Sequence, residues 1–403
     1  MGERRRAWAI FGVMALMYCF SQFYRVSTAL IAVDLAAEFA LGPDQLALLG
    51  GLFFYVFALA QLPLGPALDR WGAGAIVVGG SGVCALGSTV FALAESWTWL
   101  LLARALMGLG MAPVLMGALK LLAEWFPPGA FGTVSGLILA LGTVGALLAA
   151  TPLAGLVAWL GWRGTFLAFA ALTVLAGAAI RATVRERPGG SAPASGPRER
   201  FGLGRVLAIP SFWATAPLAL VGYASVASLQ GLWAGPYFME ALSYTRTETG
   251  NILLGLGVAT AAGSFAGGWL SDRVGSRKWV VVAGNVVALA CFLPLAGFGA
   301  PSSAAGWTAL MSALGFFSAF RVLLYAHVKE SVPRHLVGTA VTAINFFIMV
   351  GPALLQQATG RVLEASAGDY QAAFLFSLVC LGVGSGIYLF SRDSRPGAGE
   401  VRS

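Results

Sequence analysis

Two arginines stand inside long apolar stretches of the sequence. Arg25 follows Tyr24 in the first stretch and Arg321 lies within a later one, and neither has a carboxylate within one helical turn. A charge at the centre of a bilayer costs at least about 2.5–3.5 kcal/mol on insertion scales, so such residues are usually functional. The seventeen acidic residues all fall at the ends of apolar stretches, in loops or in tails. The sequence therefore predicts that another group neutralises these two cations.

An anionic ligand is one group that would neutralise a buried guanidinium. The guanidinium is a planar fork of N–H donors that suits a carboxylate or a phosphate. We predict that Arg25 binds a small anionic substrate; the alternative is that it joins two helices through backbone carbonyls. Arg321 lies nearer the end of its stretch, and the same two interpretations apply to it.

The composition places these stretches in a membrane. Hydrophobic residues make up 58% of the chain and charged residues 10%, and the mean hydropathy is +0.80. Soluble domains carry about 25% charged residues, and one helical crossing needs about 20 apolar residues. The sequence predicts an all-α membrane protein with twelve transmembrane helices. They are expected at 8–33, 45–67, 74–94, 98–123, 130–157, 163–182, 210–238, 249–270, 279–300, 305–327, 336–358 and 370–391.

The positive charges predict the orientation. If the amino terminus is cytoplasmic, the outer loops hold only Arg163, Arg246 and Arg361. Basic residues gather on the cytoplasmic side of membrane proteins, and outer membranes are crossed by barrels rather than helices. We therefore expect a multi-pass protein of the cytoplasmic (inner) membrane with both termini inside. This accounts for the net charge of +8 without a nucleic-acid partner, and we expect a monomer in contact with membrane lipid.

The sequence has no pattern typical of catalysis or metal binding. Cys19, Cys84, Cys291 and Cys380 lie inside apolar stretches and lack metal or redox spacing. No phosphate-binding loop or nucleophile elbow is present. We predict that the chain is not an enzyme and has no catalytic residue, metal site or cofactor. The energy for any transport would then come from a gradient of an ion or of the substrate.

One polar segment divides the twelve spans into six and six. Residues 185–205 are rich in Gly, Pro, Ser and Arg and have almost no large apolar side chain. Such a composition is typical of a flexible linker. We predict an amino-terminal six-helix bundle at 1–184, a cytoplasmic linker at 185–208 and a carboxyl-terminal six-helix bundle at 209–403.

Sequence repeats relate the two halves. The motif GxxxDRxG occurs at Gly65–Gly72 and again at Gly268–Gly275, 203 residues later. The motif ExxP begins at Glu124 and again at Glu330, 206 residues later. Acidic residues also end the first and seventh spans at the same interval, at Asp34 and Glu240. Near-constant intervals predict two homologous six-helix halves.

Two parallel six-span repeats joined by a linker resemble the major facilitator superfamily. The paired GxxxDRxG motifs carry this resemblance, which implies the pseudo-symmetric two-bundle fold and secondary transport by alternating access. The resemblance also implies that the motif residues form a cytoplasmic gate, although a solvated turn is the alternative. The gate residues would be Asp69, Arg70, Asp272 and Arg273. The first copy continues as Ala73-Gly74 without basic residues, whereas the second is followed by Arg277-Lys278, so the first-half gate is expected to be weaker.

A further element of the fourth span resembles the same family. Arg104 opens the pattern RxxxGxG that ends at Gly110. We predict a gating role for Arg104, with the alternative that its side chain extends to the outer surface from about two turns inside the span.

The family resemblance extends to residues that would bind the substrate. Helices 1 and 7 line the cavity in this superfamily, and the 206-residue interval places Gln230 opposite Tyr24 and Gly231 opposite Arg25. Trp233 lies two residues further along the seventh span and is predicted to face the same cavity. A Gly-Pro pair at 235–236 predicts a break in the seventh helix there. Tyr55, Tyr325, Asn345 and Gln356 are further polar groups in apolar spans, and the alternative for these is hydrogen bonding between helices. An interfacial aromatic belt is the alternative for Trp233.

The substrate class follows from the branch of the family. The segments QGLWAGPY and GPALLQQATG resemble the anion:cation symporter and nitrate/nitrite-porter branches. The glycine-rich nitrate signature is missing from the fifth span, and the second span has no arginine. A small organic anion, such as a carboxylate or a sugar acid, is therefore preferred to nitrate. The alternatives are a drug or lipid exporter of the same fold and a non-transporting membrane sensor of a ligand.

The coupling ion is the least determined feature. Residues that could titrate lie only near the span ends: Asp34, Glu124, Glu330 and His327. This placement favours anion exchange, uniport, or proton coupling through the charge of the substrate itself. We expect His327 and His335 at the surface, where either could titrate near neutral pH.

Overall fold

The described part of the chain is helical throughout. The computed structural model describes residues 3–184, 202–333 and 336–394, apart from the side chains at 66, 69, 128–129, 131–132, 202–203 and 338. These ranges contain no β-strand, and the predicted all-α class is confirmed.

The described residues pack as two compact units. One contains the residues up to Leu41 together with those from Leu52 to Val184, and the other contains Gly42–Gly51 and the described residues from Gly202 onward. The helices that begin before residue 184 are α1 Glu3–Val26, α2 Ala32–Phe39, α3 Pro43–Trp71, α4 Ala73–Ala92, α5 Trp97–Met111, α6 Val114–Trp125, α7 Pro128–Leu148 and α8 Thr151–Thr183.

The second unit continues the series. Its helices are α9 Gly202–Leu207, α10 Pro210–Ser228, α11 Ala234–Pro236, α12 Arg246–Val274, α13 Lys278–Leu295, α14 Ala304–Ser318, α15 Leu323–Ser331, α16 Val337–Ala365 and α17 Tyr370–Tyr388. Two π-helical segments, Leu229–Trp233 and Tyr237–Ala241, flank α11, and a 3₁₀ segment, Ala319–Val322, joins α14 to α15.

The helices account for the twelve predicted spans. In the described ranges, eleven helical segments are long and apolar enough to cross a membrane, and the shorter apolar helix Thr133–Leu148 makes a twelfth. The two predicted bundles at 1–184 and 209–403 stay a prediction. Most of the predicted linker lies outside the described residues, although its last part forms α9.

Three helical features differ from the sequence expectation. The first span was expected to reach residue 33, but α1 ends at Val26 and residues 27–31 form turns before α2. The local hydrogen bonds there shorten from four to three residues, as in Ile31 to Thr28. The Gly-Pro pair does not break the seventh helix, because the flanking π turns carry it past the proline with five-residue bonds such as Ala234 to Leu229. The fifth predicted span is interrupted, because α7 ends at Leu148 and α8 begins at Thr151. The kink of α8 at Gly161, where φ is 69°, lies in the predicted loop before the sixth span.

Glycines allow the closest helix contacts. A Cβ added at Gly145 of α7 would overlap the carbonyl oxygen of Cys19 on α1, and one added at Gly263 of α12 would overlap that of Phe316 on α14. Lipid tails give little hydrophobic drive for helix association, so close backbone packing through small residues supplies much of the attraction. These contacts fix α1 against α7 and α12 against α14.

Candidate substrate-binding site

Arg25 is a buried cation near the end of α1. Its residue surface is 7% exposed, and its guanidinium carbon lies 4.8 Å from the ring centroid of Phe57 and 6.0 Å from that of Phe54. Aromatic faces attract cations but accept no strong hydrogen bond. Within the described residues Arg25 has no hydrogen-bond or ion-pair partner, and its Nε is buried. Its N–H donors are therefore available for another acceptor.

Unpartnered polar atoms cluster in sequence around Arg25. Gln22 Oε1, Ser27 Oγ and Thr28 Oγ1 are buried and have no partner in the described part of the chain. Ser27 and Thr28 are fully buried. A buried polar atom without a partner costs about 1–3 kcal/mol, and such atoms in a native structure call for an explanation such as a ligand or a water. The end of α1 and the following turn thus carry four polar side chains suited to a polar ligand.

Sequence reasoning missed Ser27 and Thr28. The available signal was a pair of consecutive hydroxyl residues directly after an arginine inside an apolar stretch. The apolar pattern continues beyond them, which hid the end of the helix at Val26.

Tyr24 belongs to the packing of the first unit. It is fully buried, and its hydroxyl lies 3.1 Å from Oγ1 of Thr173 on α8. Its ring lies among those of Phe23, Phe166 and Phe169. A direct contact of Tyr24 with a substrate stays a prediction.

Arg104 supports the end of α1. It is 1% exposed, and its Nη1 donates to the carbonyl oxygen of Tyr24 at 2.9 Å. The last four carbonyls of a helix lack partners within the helix, so a side-chain donor there stabilises the helix end. The alternative that Arg104 extends to the outer surface is wrong, because the surrounding helices enclose its side chain.

One face of α3 contacts two buried arginines of the first unit, Arg25 and Arg104. The guanidinium carbon of Arg104 lies 5.0 Å from the ring centroid of Phe53. The guanidinium carbon of Arg25 lies 4.8 Å from the ring centroid of Phe57. The two rings stack at 6.0 Å with an angle of 19° between their planes. Phe53 and Phe57 are one helical turn apart, so they present one aromatic surface to both cations. Tyr55 lies half-buried on the same helix, and its substrate contact stays a prediction.

The second unit has its own group of unpartnered polar atoms. Trp233 is 2% exposed and Gln356 is 1% exposed. Trp233 Nε1, both amide atoms of Gln356 and Ser228 Oγ are buried without a partner in the described ranges. Ser228 directly precedes the first π segment and Trp233 is its last residue. Gln230, within the segment, is half-buried. Such π segments occur often at functional sites, and the interfacial-belt alternative for Trp233 is wrong because the indole is buried.

Arg321 is paired with a neutral amide. It is 7% exposed, and its Nη1 donates to Oδ1 of Asn285 on α13 at 3.0 Å. Arg321 Nε and Asn285 Nδ2 are buried without partners among the described residues. A Cβ added at Gly222 of α10 would lie 2.6 Å from Cδ of Arg321. Sequence reasoning missed Asn285, since one amide in an apolar span gives no local signal of its partner.

Two predicted polar residues do meet. Tyr325 donates from its hydroxyl to Oδ1 of Asn345 on α16 at 2.7 Å. The helix–helix hydrogen bond predicted as the alternative for these residues is therefore present, and their contact with a substrate stays a prediction.

The gate motifs differ between the halves. Arg70 is exposed and lies over Trp71, with 5.2 Å from its guanidinium carbon to the ring centroid, and the side chain of Asp69 lies outside the described residues. Asp272 accepts a hydrogen bond of 2.7 Å from Nη1 of Arg277. Arg273 is exposed and lies 5.1 Å from the centroid of Trp269. Gating by these four residues and by Arg104 stays a prediction.

Arg277 joins the second motif to Glu330. Its Nη2 lies 3.3 Å from Glu330 Oε1, and Ser394 donates to Glu330 Oε2 at 2.6 Å. Burial alone would lower the pKa of Arg277, but its hydrogen bonds to Asp272 and Glu330 and their negative charges outweigh this, so its pKa lies above the ordinary value. Glu124 is the repeat equivalent of Glu330, while Gly74 stands at the position equivalent to Arg277.

The coupling candidates are engaged in the structure. His327 is 1% exposed, so its expected surface position is wrong. Its Nδ1 lies 2.6 Å from the hydroxyl of Tyr388 and its Nε2 lies 2.8 Å from the carbonyl oxygen of Arg392. Asp34, in the first turn of α2, and Glu124 are half-buried and also interact with other groups. A coupling role for these residues and Glu330 stays a prediction.

The comparisons with known proteins agree with this architecture. A model of the Major Facilitator Superfamily matches residues 11–234 and 221–403, and the chain belongs to this superfamily. The structure is similar to that of a bacterial homologue of the human lysosomal transporter Spinster, in an inward-facing and unoccupied conformation. The TM-score is 0.83, with 20% sequence identity over 97% of this chain and 98% of that chain. The family prediction is confirmed, and the chain is a membrane transport protein rather than an enzyme.

Two relatives show how far the sequence similarity extends. The hexuronate transporter of Bacillus subtilis (strain 168) is 26% identical over 371 residues, which cover 86% of each chain. The probable L-galactonate transporter of Escherichia coli (strain K12) is 28% identical over 150 residues. That alignment covers 37% of this chain, and the chain spans only 33% of that relative.

Proposed function

We propose that the chain is a secondary transporter of a small organic anion, a carboxylate or a sugar acid. It would act in the cytoplasmic membrane by alternating access, with both termini in the cytoplasm. The observation that carries the proposal is Arg25, a buried guanidinium that contacts aromatic faces and has no acceptor among the described residues.

The groups beside Arg25 favour an anion that also has hydroxyl groups. A guanidinium binds a carboxylate through charge-assisted N–H donors. Ser27 and Thr28 each offer one hydroxyl, which both donates and accepts, and Gln22 offers an unpartnered carbonyl oxygen. A sugar acid presents a carboxylate and several hydroxyl groups, so it would use all four residues.

The relatives support the same substrate class. Two proteins of similar sequence are a hexuronate transporter and a probable L-galactonate transporter. Hexuronates and galactonate are both hydroxylated monocarboxylates. The similarity to the first extends over most of both chains.

A thermal-shift screen of the purified protein tests the proposal. The panel is galacturonate, gluconate, tartrate and sulfoacetate, each against the wild type, Arg25→Ala and Arg361→Ala. Arg361 is the matched control, because its side chain is 70% exposed and pairs with Asp44 at 3.5 Å. A ligand at one hundred times its Kd stabilises the folded state by about 2.7 kcal/mol.

We expect at least one anion to raise the unfolding temperature of the wild type and of Arg361→Ala but not of Arg25→Ala. Equal shifts in all three proteins would remove Arg25 from the site. Absence of a shift with every anion would contradict the substrate class.

A further inference from the structure

We infer that this chain is an anion exchanger, which changes its exposed side only while an anion is bound. The inference rests on the proposed function of Arg25 as the anion-binding residue. It concerns the coupling of transport, which neither the fold nor the similarity to other transporters determines.

Arg25 in the first unit and Arg321 in the second are buried cations whose contacts among the described residues are all with uncharged groups. Arg25 and Arg321 are both 7% exposed. Arg25 contacts the faces of Phe57 and Phe54, and Arg321 donates to the neutral amide of Asn285. Neither has an ion-pair partner among the residues that the structure describes. A bound anion would supply the missing negative charge at Arg25.

Eight carboxylates of the described residues have partners elsewhere. Glu38 pairs with Arg163 and accepts from Trp162 Nε1, and Asp44 pairs with Arg361. Asp272 and Glu330 share Arg277. Further carboxylates accept hydrogen bonds from uncharged groups: Glu240 from Tyr370, Glu248 from Thr245, Asp369 from the main chain of Gln371, and Asp393 from Ser276 and the main chain of Lys278.

The buried histidine is engaged as well. A carbonyl oxygen only accepts, so the bond to Arg392 requires the proton of neutral His327 to be on Nε2. Nδ1 then accepts from the hydroxyl of Tyr388. Asp393, Glu330 and Lys278 are the charged groups around this ring. Both ring nitrogens thus serve contacts within the second unit, whereas Arg25 belongs to the first.

These charges give the loaded and the empty carrier different free-energy barriers to reorientation. In a proton symporter, a carboxylate beside the arginine can neutralise it after the substrate leaves. Here an empty site would enclose an uncompensated guanidinium whenever it closed to water on both sides. The free-energy cost of one charge at the centre of a bilayer corresponds to a factor of about a hundred. The empty carrier would reorient more slowly, or populate the closed state less, by that factor. The loaded carrier, with its guanidinium paired, would reorient much faster, so one anion would leave for each anion that enters.

Counterflow in proteoliposomes tests the inference. Labelled galacturonate, gluconate or tartrate, whichever gives the largest thermal shift, is supplied outside. The vesicles contain the same unlabelled anion, or buffer alone, or buffer with an inward proton gradient. We expect uptake into anion-loaded vesicles at least about tenfold faster than into either of the others. Equal uptake into buffer-loaded vesicles, or accumulation driven by the proton gradient, would overturn exchange and leave the proposed function intact.

A carboxylate introduced beside Arg25 should create net uptake that the wild type lacks. Gln22 lies three residues before Arg25 on α1, a spacing at which side chains on a helix meet. Gln22→Glu supplies a carboxylate that can neutralise Arg25 in the empty site. We expect net uptake into buffer-loaded vesicles to rise at least about tenfold, while Gln45→Glu, at an exposed position of α3, leaves it unchanged. Anion binding by the wild type, measured on the same preparation by thermal shift, separates the two proposals. If Gln22→Glu still shows a thermal shift with the anion and net uptake stays low, the charge argument is wrong.

Discussion

Arg104 donates a 2.9 Å hydrogen bond to the carbonyl oxygen of Tyr24, the residue that precedes Arg25. The bond ties α5 to the last turn of α1, where the helix has no partner of its own for that carbonyl. Arg104 and Arg25 also rest on stacked rings of α3. Arg104 is therefore a positioning residue that holds the end of α1 in place.

Removal of the Arg104 donor should destabilise the protein. In Arg104→Met, the buried carbonyl of Tyr24 loses this donor, and we expect a loss of about 1–3 kcal/mol in unfolding free energy. The measurement is thermal unfolding in detergent, together with the affinity for the anion found in the screen. Arg70→Met is the control, because Arg70 is exposed and such substitutions usually change stability by less than about 0.5 kcal/mol. Equal unfolding temperatures of the two variants would show that the bond to Tyr24 contributes nothing.

Two glycines of α7 should respond oppositely to alanine. A Cβ at Gly145 would overlap the carbonyl oxygen of Cys19, whereas one at Gly136 meets nothing within 4 Å. Overpacking of a close contact costs about 1–3 kcal/mol, and alanine in an open helical position gains up to about 1 kcal/mol over glycine. We expect Gly145→Ala to lower the unfolding temperature and Gly136→Ala to maintain or raise it. A stable Gly145→Ala protein would show that α1 and α7 are not packed this closely.

The contact of Arg277 with Glu330 should be measurable as a coupling energy. Their side chains are 12% and 15% exposed, so the pair is screened less than a surface ion pair. A double-mutant cycle with Arg277→Met and Glu330→Gln should give a coupling of about 1–2 kcal/mol in unfolding free energy. A zero coupling for this pair would mean that the contact is solvated and weak.

The pH dependence of this contact follows from the raised pKa of Arg277. A basic group with a raised pKa contributes stability that is complete below its unfolded pKa and is lost only as the pH rises through the folded value. The ordinary arginine pKa already exceeds about 12. We therefore expect the coupling energy to stay constant between about pH 7 and pH 10, measured by the same cycle. A decline in that range would indicate that a group other than Arg277 controls the contact.

The spans were predictable and several of the contacts were not. Apolar stretches of about twenty residues gave twelve spans because lipid imposes that length on each of them. The same rule placed the end of the first span at residue 33, because Ser27 and Thr28 lower the mean hydropathy of the stretch only slightly. In the structure α1 ends at Val26. The bond from Arg104 to the Tyr24 carbonyl joins residues 80 positions apart, and local sequence does not reveal such a contact.

Long-range partners were also hidden. His327 stands beside charged residues and was expected at the surface, but the segment after α17 returns and its Arg392 carbonyl binds the ring. Asn285 meets Arg321 across 36 residues of sequence. A single polar residue in an apolar span does not by itself reveal its partner. The buried position of Arg25 itself was predictable, because few charges occur in the spans and each has a high insertion cost.

The central claim is that the charge of Arg25 recognises the charge of the substrate. Calorimetric titration of the purified protein with galacturonate and with galactose compares two ligands that differ at one carbon. That carbon is a carboxylate in galacturonate and a hydroxymethyl group in galactose. A hydrogen bond to a charged group contributes about 1.5–3 kcal/mol, so we predict that the wild type binds galacturonate at least about tenfold more tightly than galactose. In Arg25→Gln this preference should disappear. If Arg25→Gln retains the full preference for the acid, another residue recognises the anion and the account is wrong.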